Sequence, residues 1–144
     1  MPLVTRNHAK LTLEGARAAL VSATKRATEL RAPVNIAVAD QGGNLLLFER
    51  MDGAKPSSIS IAIVKAQASA LRRGATGPIL AGDHPNLPLT LGFAIASPAQ
   101  QTPIRGGAPL FVDGEIVGAI GVSGATEDQD LEIALAGAMA IEKA

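Results

Sequence analysis

Two basic side chains and a glycine pair hold most of the chemistry open to this chain. Arg50 closes the run Leu45-Leu46-Leu47-Phe48-Glu49-Arg50. By period-two alternation it shares a face with Leu46 and Phe48, which sets a guanidinium at the rim of an apolar surface. Its rigid fork of donors matches a carboxylate there. A structural pair with Asp52 or Asp130 is the alternative. Lys65 stands with Ser58, Ser69 and Arg72 on the one polar line of an otherwise apolar segment. A lysine so placed binds an anion or, once desolvated, serves as a base or Schiff-base former, with Glu49 as a second acid–base candidate. A solvated face or a snorkelling stem explains the same placement without function. Gly106-Gly107, directly after Arg105, lets backbone N–H groups approach an anion, or makes a plain tight turn. Asp130, in the first turn of the last helix, orients a ligand or Arg50, or is a capping charge.

Much other chemistry is missing. The 144 residues include no cysteine, so disulfides, thiolate metal sites and cysteine nucleophiles are excluded. His8 and His84 lie in irregular segments with no second ligand at metal spacing, and no metal site is expected. Met51 and Met139 read as core residues. Ser123 lacks the Gly-x-Ser-x-Gly elbow and a neighbouring histidine, so it reads as part of a turn. Thirteen basic residues balance thirteen acidic ones, and the only aromatics are three Phe. That composition disfavours nucleic acid, which needs a concentrated basic surface. The start MPLVTRNHAKL has no apolar signal core and no run is long enough to span a bilayer, so the chain as given reads as cytoplasmic, with no membrane partner.

The elements that must position these groups follow from periodicity. Ala16, Leu20, Ala23, Ala27 and Leu30 recur at helical spacing, which predicts a helix over 12–31, ended by Pro33. Val34–Asp40 and Asn44–Met51 read as strands around the turn Asp40-Gln41-Gly42-Gly43. A second helix spans 58–73, apolar over most of its circumference and therefore largely buried, with Gly74 as its terminator. Residues 75–88 are rich in Gly and Pro and read as a loop. Leu91–Ser97 is expected to be a third strand. Ala108–Val112 and Glu115–Ser123 follow around Asp113-Gly114, a two-residue turn that joins antiparallel strands. Gly118 and Gly121 in that last strand mark the close approach of another backbone or of a ligand. A helix over 127–143 opens with the capping box Thr126/Gln129 and carries Leu131, Ala134, Leu135 and Ala138 as its core stripe. The order gives an α+β fold: an antiparallel sheet of about five strands packed with three main helices, in one domain over 1–144 whose first ten residues are flexible. Helices this apolar predict self-association into a homo-oligomer.

The segments VDGEIVGAIGVSG at 112–124, VNIAVADQGGNLLLFERMDGA at 34–54 and IAIVKAQASA at 61–70 resemble the GlcG/HbpS-like family, also found as the carboxy-terminal domain of PduO-type proteins. The resemblance spans residues 10–142, with the blocks in the family's order. It implies a profilin-like fold and a small-molecule pocket holding Arg50, Lys65, Gly106 and Gly107, with Asp130 behind them. Ser69 stands where the family commonly has Thr. Haem or a related tetrapyrrole is the implied ligand class. With no Cys or Tyr and only two isolated histidines, such binding is expected to be weak and without a strong axial ligand. It should fall on Arg50→Ala and survive His8→Ala and His84→Ala. Similar sequences include a lyase acting on an aromatic hydroxylamine. Two further readings therefore stay open: a cofactor-independent lyase or isomerase acting on a small, possibly aromatic carboxylate, and a non-catalytic accessory subunit.

Overall fold

The computed structural model describes residues 1–143. Thr12 caps α1 (Leu13–Glu29) by accepting from the Gly15 amide at 3.0 Å, and the helix buries Ala16, Ala19, Leu20, Ala23 and Ala27. Two hairpins follow the expected turns. Strands β1 (Asn35–Asp40) and β2 (Leu45–Arg50) are joined where the Asp40 carboxylate accepts from the Gly42 and Asn44 amides. Strands β5 (Gly107–Val112) and β6 (Glu115–Ser123) meet at Asp113 and Gly114, both with positive φ, as the two-residue turn requires. The four strands form one sheet in the order β2-β1-β6-β5, antiparallel throughout.

Alternation divides the sheet between two layers. Ile36, Val38, Ile120, Val122, Ala108 and Leu110 meet α1 and α4 (Glu127–Glu142) in the larger core. Ala37 and Ala39 meet Ala62 and Ala66 of α2 (Ile59–Arg72) on the opposite face. Gly121 explains how close α2 comes. A Cβ there would lie 2.2 Å from the Ala62 carbonyl oxygen and 2.4 Å from the Ala66 nitrogen, so the partner marked by this glycine is the helix backbone.

Three expectations need correction. The segment expected as a third strand is part of a helix, α3 (Leu87–Ala96), and the sheet accordingly has four main strands; β3 (Leu80–Ala81) and β4 (His84–Pro85) form a separate small ribbon. The helix start lies in the stretch read as a loop: Asn86 accepts from the Leu89 amide, and Pro88 sits in the first turn, where its missing N–H costs nothing. The second correction concerns Gly74. Helix α2 ends one residue earlier, on Arg73, which takes the left-handed conformation (φ 59°) and donates its amide to the Ala70 carbonyl. The third is the rotation of α4. Its buried residues are Asp130, Ile133, Ala134, Gly137 and Ile141, while Leu135 and Met139 are about half exposed, so Met139 is not core. Thr126 and Gln129 do form the expected capping box.

Candidate functional site

Lys65, Asp130, Gly106 and Gly107 come together where α2, β5 and the start of α4 meet. The Lys65 ammonium donates to the Val122 carbonyl at 2.7 Å and to Asp130 Oδ2 at 3.0 Å, and Asp130 Oδ1 accepts from the Ala125 amide at 3.0 Å. Both side chains are almost wholly buried, at 1% and 4% exposure. Burial pulls the Lys65 ammonium below the ordinary lysine value, and Asp130 opposes that shift. The polar line of α2 turns inward at Ser58, Lys65 and Ser69, which are buried, and reaches the surface only at Arg72.

The glycine pair is packed tightly against this ion pair. Gly106 has φ 130°, and a Cβ on it would lie 2.6 Å from the Val122 oxygen and 2.7 Å from Lys65 Nζ. On Gly107 it would lie 2.5 Å from the Lys65 carbonyl oxygen. The Gly107 amide already donates to Thr76 Oγ1 at 2.9 Å, so it is not free for an anion.

Arg50 and Glu49 do not join this group within one chain. Arg50 pairs in register with Asn35, whose side-chain amide donates to the Lys55 carbonyl just before α2. Its strand is separated from β5 by β1 and β6, about 14 Å at ordinary strand spacing. Arg50 is exposed and, among the described residues, has neither Asp52 nor Asp130 as an ion-pair partner. Glu49 faces the other layer and accepts from the Thr24 hydroxyl of α1 at 3.1 Å.

At the other end of α2 the structure opens a cavity of about 420 Å³ that sequence reasoning missed. Leu71, Ile79 and Phe93 supply apolar walls, and Arg72, Ser97, Gln100 and Gln101 supply polar ones. Gln101 is 7% exposed, yet its Nε2 has no hydrogen-bond partner. An unpaired buried amide is costly, and Gln101 carries one among the residues around the cavity, where Arg72 is exposed. Helix α3 forms one wall. It is tied down through Thr90, its only buried residue, whose hydroxyl accepts from the Ile79 amide at 2.9 Å. Leu87, Leu91, Phe93 and Ile95 are each half exposed or more. The signal lay in the sequence as the apolar run LPLTLGFAIA, but a run that short does not separate strand from helix by periodicity.

Among the described residues no three His, Cys, Asp or Glu are grouped to hold a metal ion, and no helix is long and apolar enough to cross a membrane. His84 is exposed in the ribbon beside Asp83. His8 contacts Glu115, Nδ1 to Oε1, at 2.7 Å.

Comparison with known proteins bears on this arrangement. A family model described as "Haem degrading protein HbpS-like" matches residues 11–139. Protein GlcG of Escherichia coli K12 is 35% identical over 113 residues, which cover 78% of this chain and 81% of GlcG. The crystal structure of Klebsiella pneumoniae protein ORFY superposes with a TM-score of 0.85 at 27% identity, covering 100% of this chain and 99% of that one. The crystal structure of a PduOC:haem complex superposes with a TM-score of 0.78 at 25% identity, covering 92% and 96%.

Proposed function

The chain belongs to the HbpS-like family, and on that premise we propose that it is a small-ligand-binding protein whose ligand is haem or a related tetrapyrrole. The observation that carries the reading is the cavity between the end of α2 and α3, with apolar walls and the exposed Arg72 guanidinium among its lining residues. A tetrapyrrole is a flat apolar body with carboxylate arms. Leu71, Ile79 and Phe93 suit the body, while the exposed Arg72 guanidinium suits a propionate. A related chain that holds haem supports the same ligand class.

These residues fit the periphery of the group and not its iron. No cysteine or tyrosine exists in the chain, His84 stands on an exposed ribbon, and one ring nitrogen of His8 is engaged by Glu115. Bound haem would supply iron redox chemistry. The protein's own part is to shield one face, to anchor a carboxylate and to leave the metal open. In this reading Lys65, Asp130, Gly106 and Gly107 form the frame that fixes β5 and α4, and Arg50 lies toward the opposite end of α2. A 14-residue helix is about 20 Å long, beyond the reach of one ligand anchored at Arg72. The reading includes self-association into a homo-oligomer.

Titration with haemin, followed in the Soret band, tests the proposal. A saturable shift with fixed stoichiometry is expected for the wild type. Arg72→Gln should weaken binding about tenfold, the scale of one charge-assisted hydrogen bond. An unchanged affinity in both Arg72→Gln and Gln101→Ala would remove the ligand from this cavity.

A further inference from the structure

We propose a second ligand site, for a small monocarboxylate with an apolar body, at the end of the sheet where the two hairpin turns meet the carboxy-terminal end of α2. This proposal does not rest on the tetrapyrrole reading, because the two cavities share no residue. The second cavity is about 630 Å³ and is lined by Thr5, His8, Gln41, Arg73, Phe111 and Ile116 together with the β5–β6 turn. That volume lies in the range of small-molecule pockets.

Three local irregularities converge on it. Arg73 occupies a left-handed position at which glycine is the ordinary residue, although Gly74 is next in sequence. The flip lets consecutive arginines line different cavities: Arg72 the one beside α3, Arg73 this one. Strain retained by a charged residue at a cavity points to use of the charge. Secondly, the β5–β6 register slips between Leu110 and Phe111, so Phe111 stands opposite Ile116 and both line the cavity. Such slips re-aim side chains. Thirdly, the His8–Glu115 contact ties the amino-terminal segment to the start of β6 beside the cavity and leaves the second ring nitrogen of His8 unengaged.

The charges set the ligand class. Among the described residues the Arg73 guanidinium has no hydrogen bond or ion pair, so it is available to a carboxylate. Asp113 and Glu115 also line the cavity, and their repulsion grows with ligand charge, so a singly charged anion held by Arg73 is favoured over a multiply charged one. Phe111 and Ile116 favour an apolar body beside the carboxylate.

The test is a titration followed in proton–nitrogen correlation spectra, with benzoate as probe and benzamide and inorganic phosphate as controls. Benzoate should bind saturably and shift the amides of Arg73, Phe111 and Gly114, whereas benzamide and phosphate should not. Arg73→Gly removes the guanidinium and suits the left-handed backbone, so it should fold and bind benzoate about tenfold to a hundredfold more weakly. Phe111→Leu should weaken binding without unfolding the sheet. Arg72→Gln should leave benzoate affinity unchanged while weakening haemin. The proposal is overturned by no saturable benzoate shifts, by equal affinity in Arg73→Gly, or by phosphate binding as well as benzoate. Loss of benzoate binding in Arg72→Gln would also overturn it, by placing the carboxylate in the other cavity.

Discussion

At the scale of single residues, the buried Lys65–Asp130 pair is the most consequential arrangement in the molecule. Removing one member leaves the other charged and without its partner. Lys65→Met and Asp130→Asn should therefore each cost about 3–5 kcal/mol in chemical denaturation, and replacing both by apolar residues should recover most of that loss. The pH dependence has a defined sign. Burial lowers the folded-state value of Lys65 below 10.5, so between that lowered value and 10.5 the unfolded chain holds a proton that the folded chain has released. Stability attributable to this lysine then rises with pH through the window and is constant below it. Denaturation midpoints of wild type and Lys65→Met, compared as pH approaches 10.5, should show the rise in the wild type alone. Gly106→Ala tests the same frame, because its methyl would enter the space of Lys65 Nζ and the Val122 carbonyl at a positive φ. The variant should unfold more readily than wild type.

Among elements, helix ends separate what the sequence discloses from what it hides. Arg73→Gly should raise stability by about 1 kcal/mol in denaturant, because glycine holds the left-handed cap of α2 without strain. A loss of stability instead would show that Arg73 makes a contact the fold depends on. The two hairpins, the Thr126/Gln129 capping box and the α1 stripe were legible because turn chemistry and periodicity are local signals. Helix α3 was not. Its cap, Asn86, lies in a Gly- and Pro-rich stretch, and its exposed apolar face imitates the alternation of a buried strand. The candidate site divides in the same way. Lys65, Asp130 and the glycine pair announced themselves by residue type, whereas Arg72 and Gln101 gain meaning only from a cavity built by α3.

For the whole molecule, the unexpected rotation of α4 has a consequence for assembly. Leu131, Leu135 and Met139 line a groove of about 460 Å³ on its outer side, and α3 projects further apolar surface. Contiguous exposed surface of this kind favours association. Sedimentation should show a species larger than the monomer at micromolar concentration, and Leu135→Glu should shift it toward monomer if the α4 face is the contact. A monomer throughout would count against self-association. A tetrapyrrole held by its edges and not by its iron should bind without the metal, which iron-free protoporphyrin IX tests. Fluorescence titration should give an affinity similar to that for haemin, reduced in Arg72→Gln and retained in His8→Ala and His84→Ala. Failure of protoporphyrin to bind while haemin gives a low-spin spectrum lost on replacing either histidine would contradict the account and move that histidine to the centre of the site.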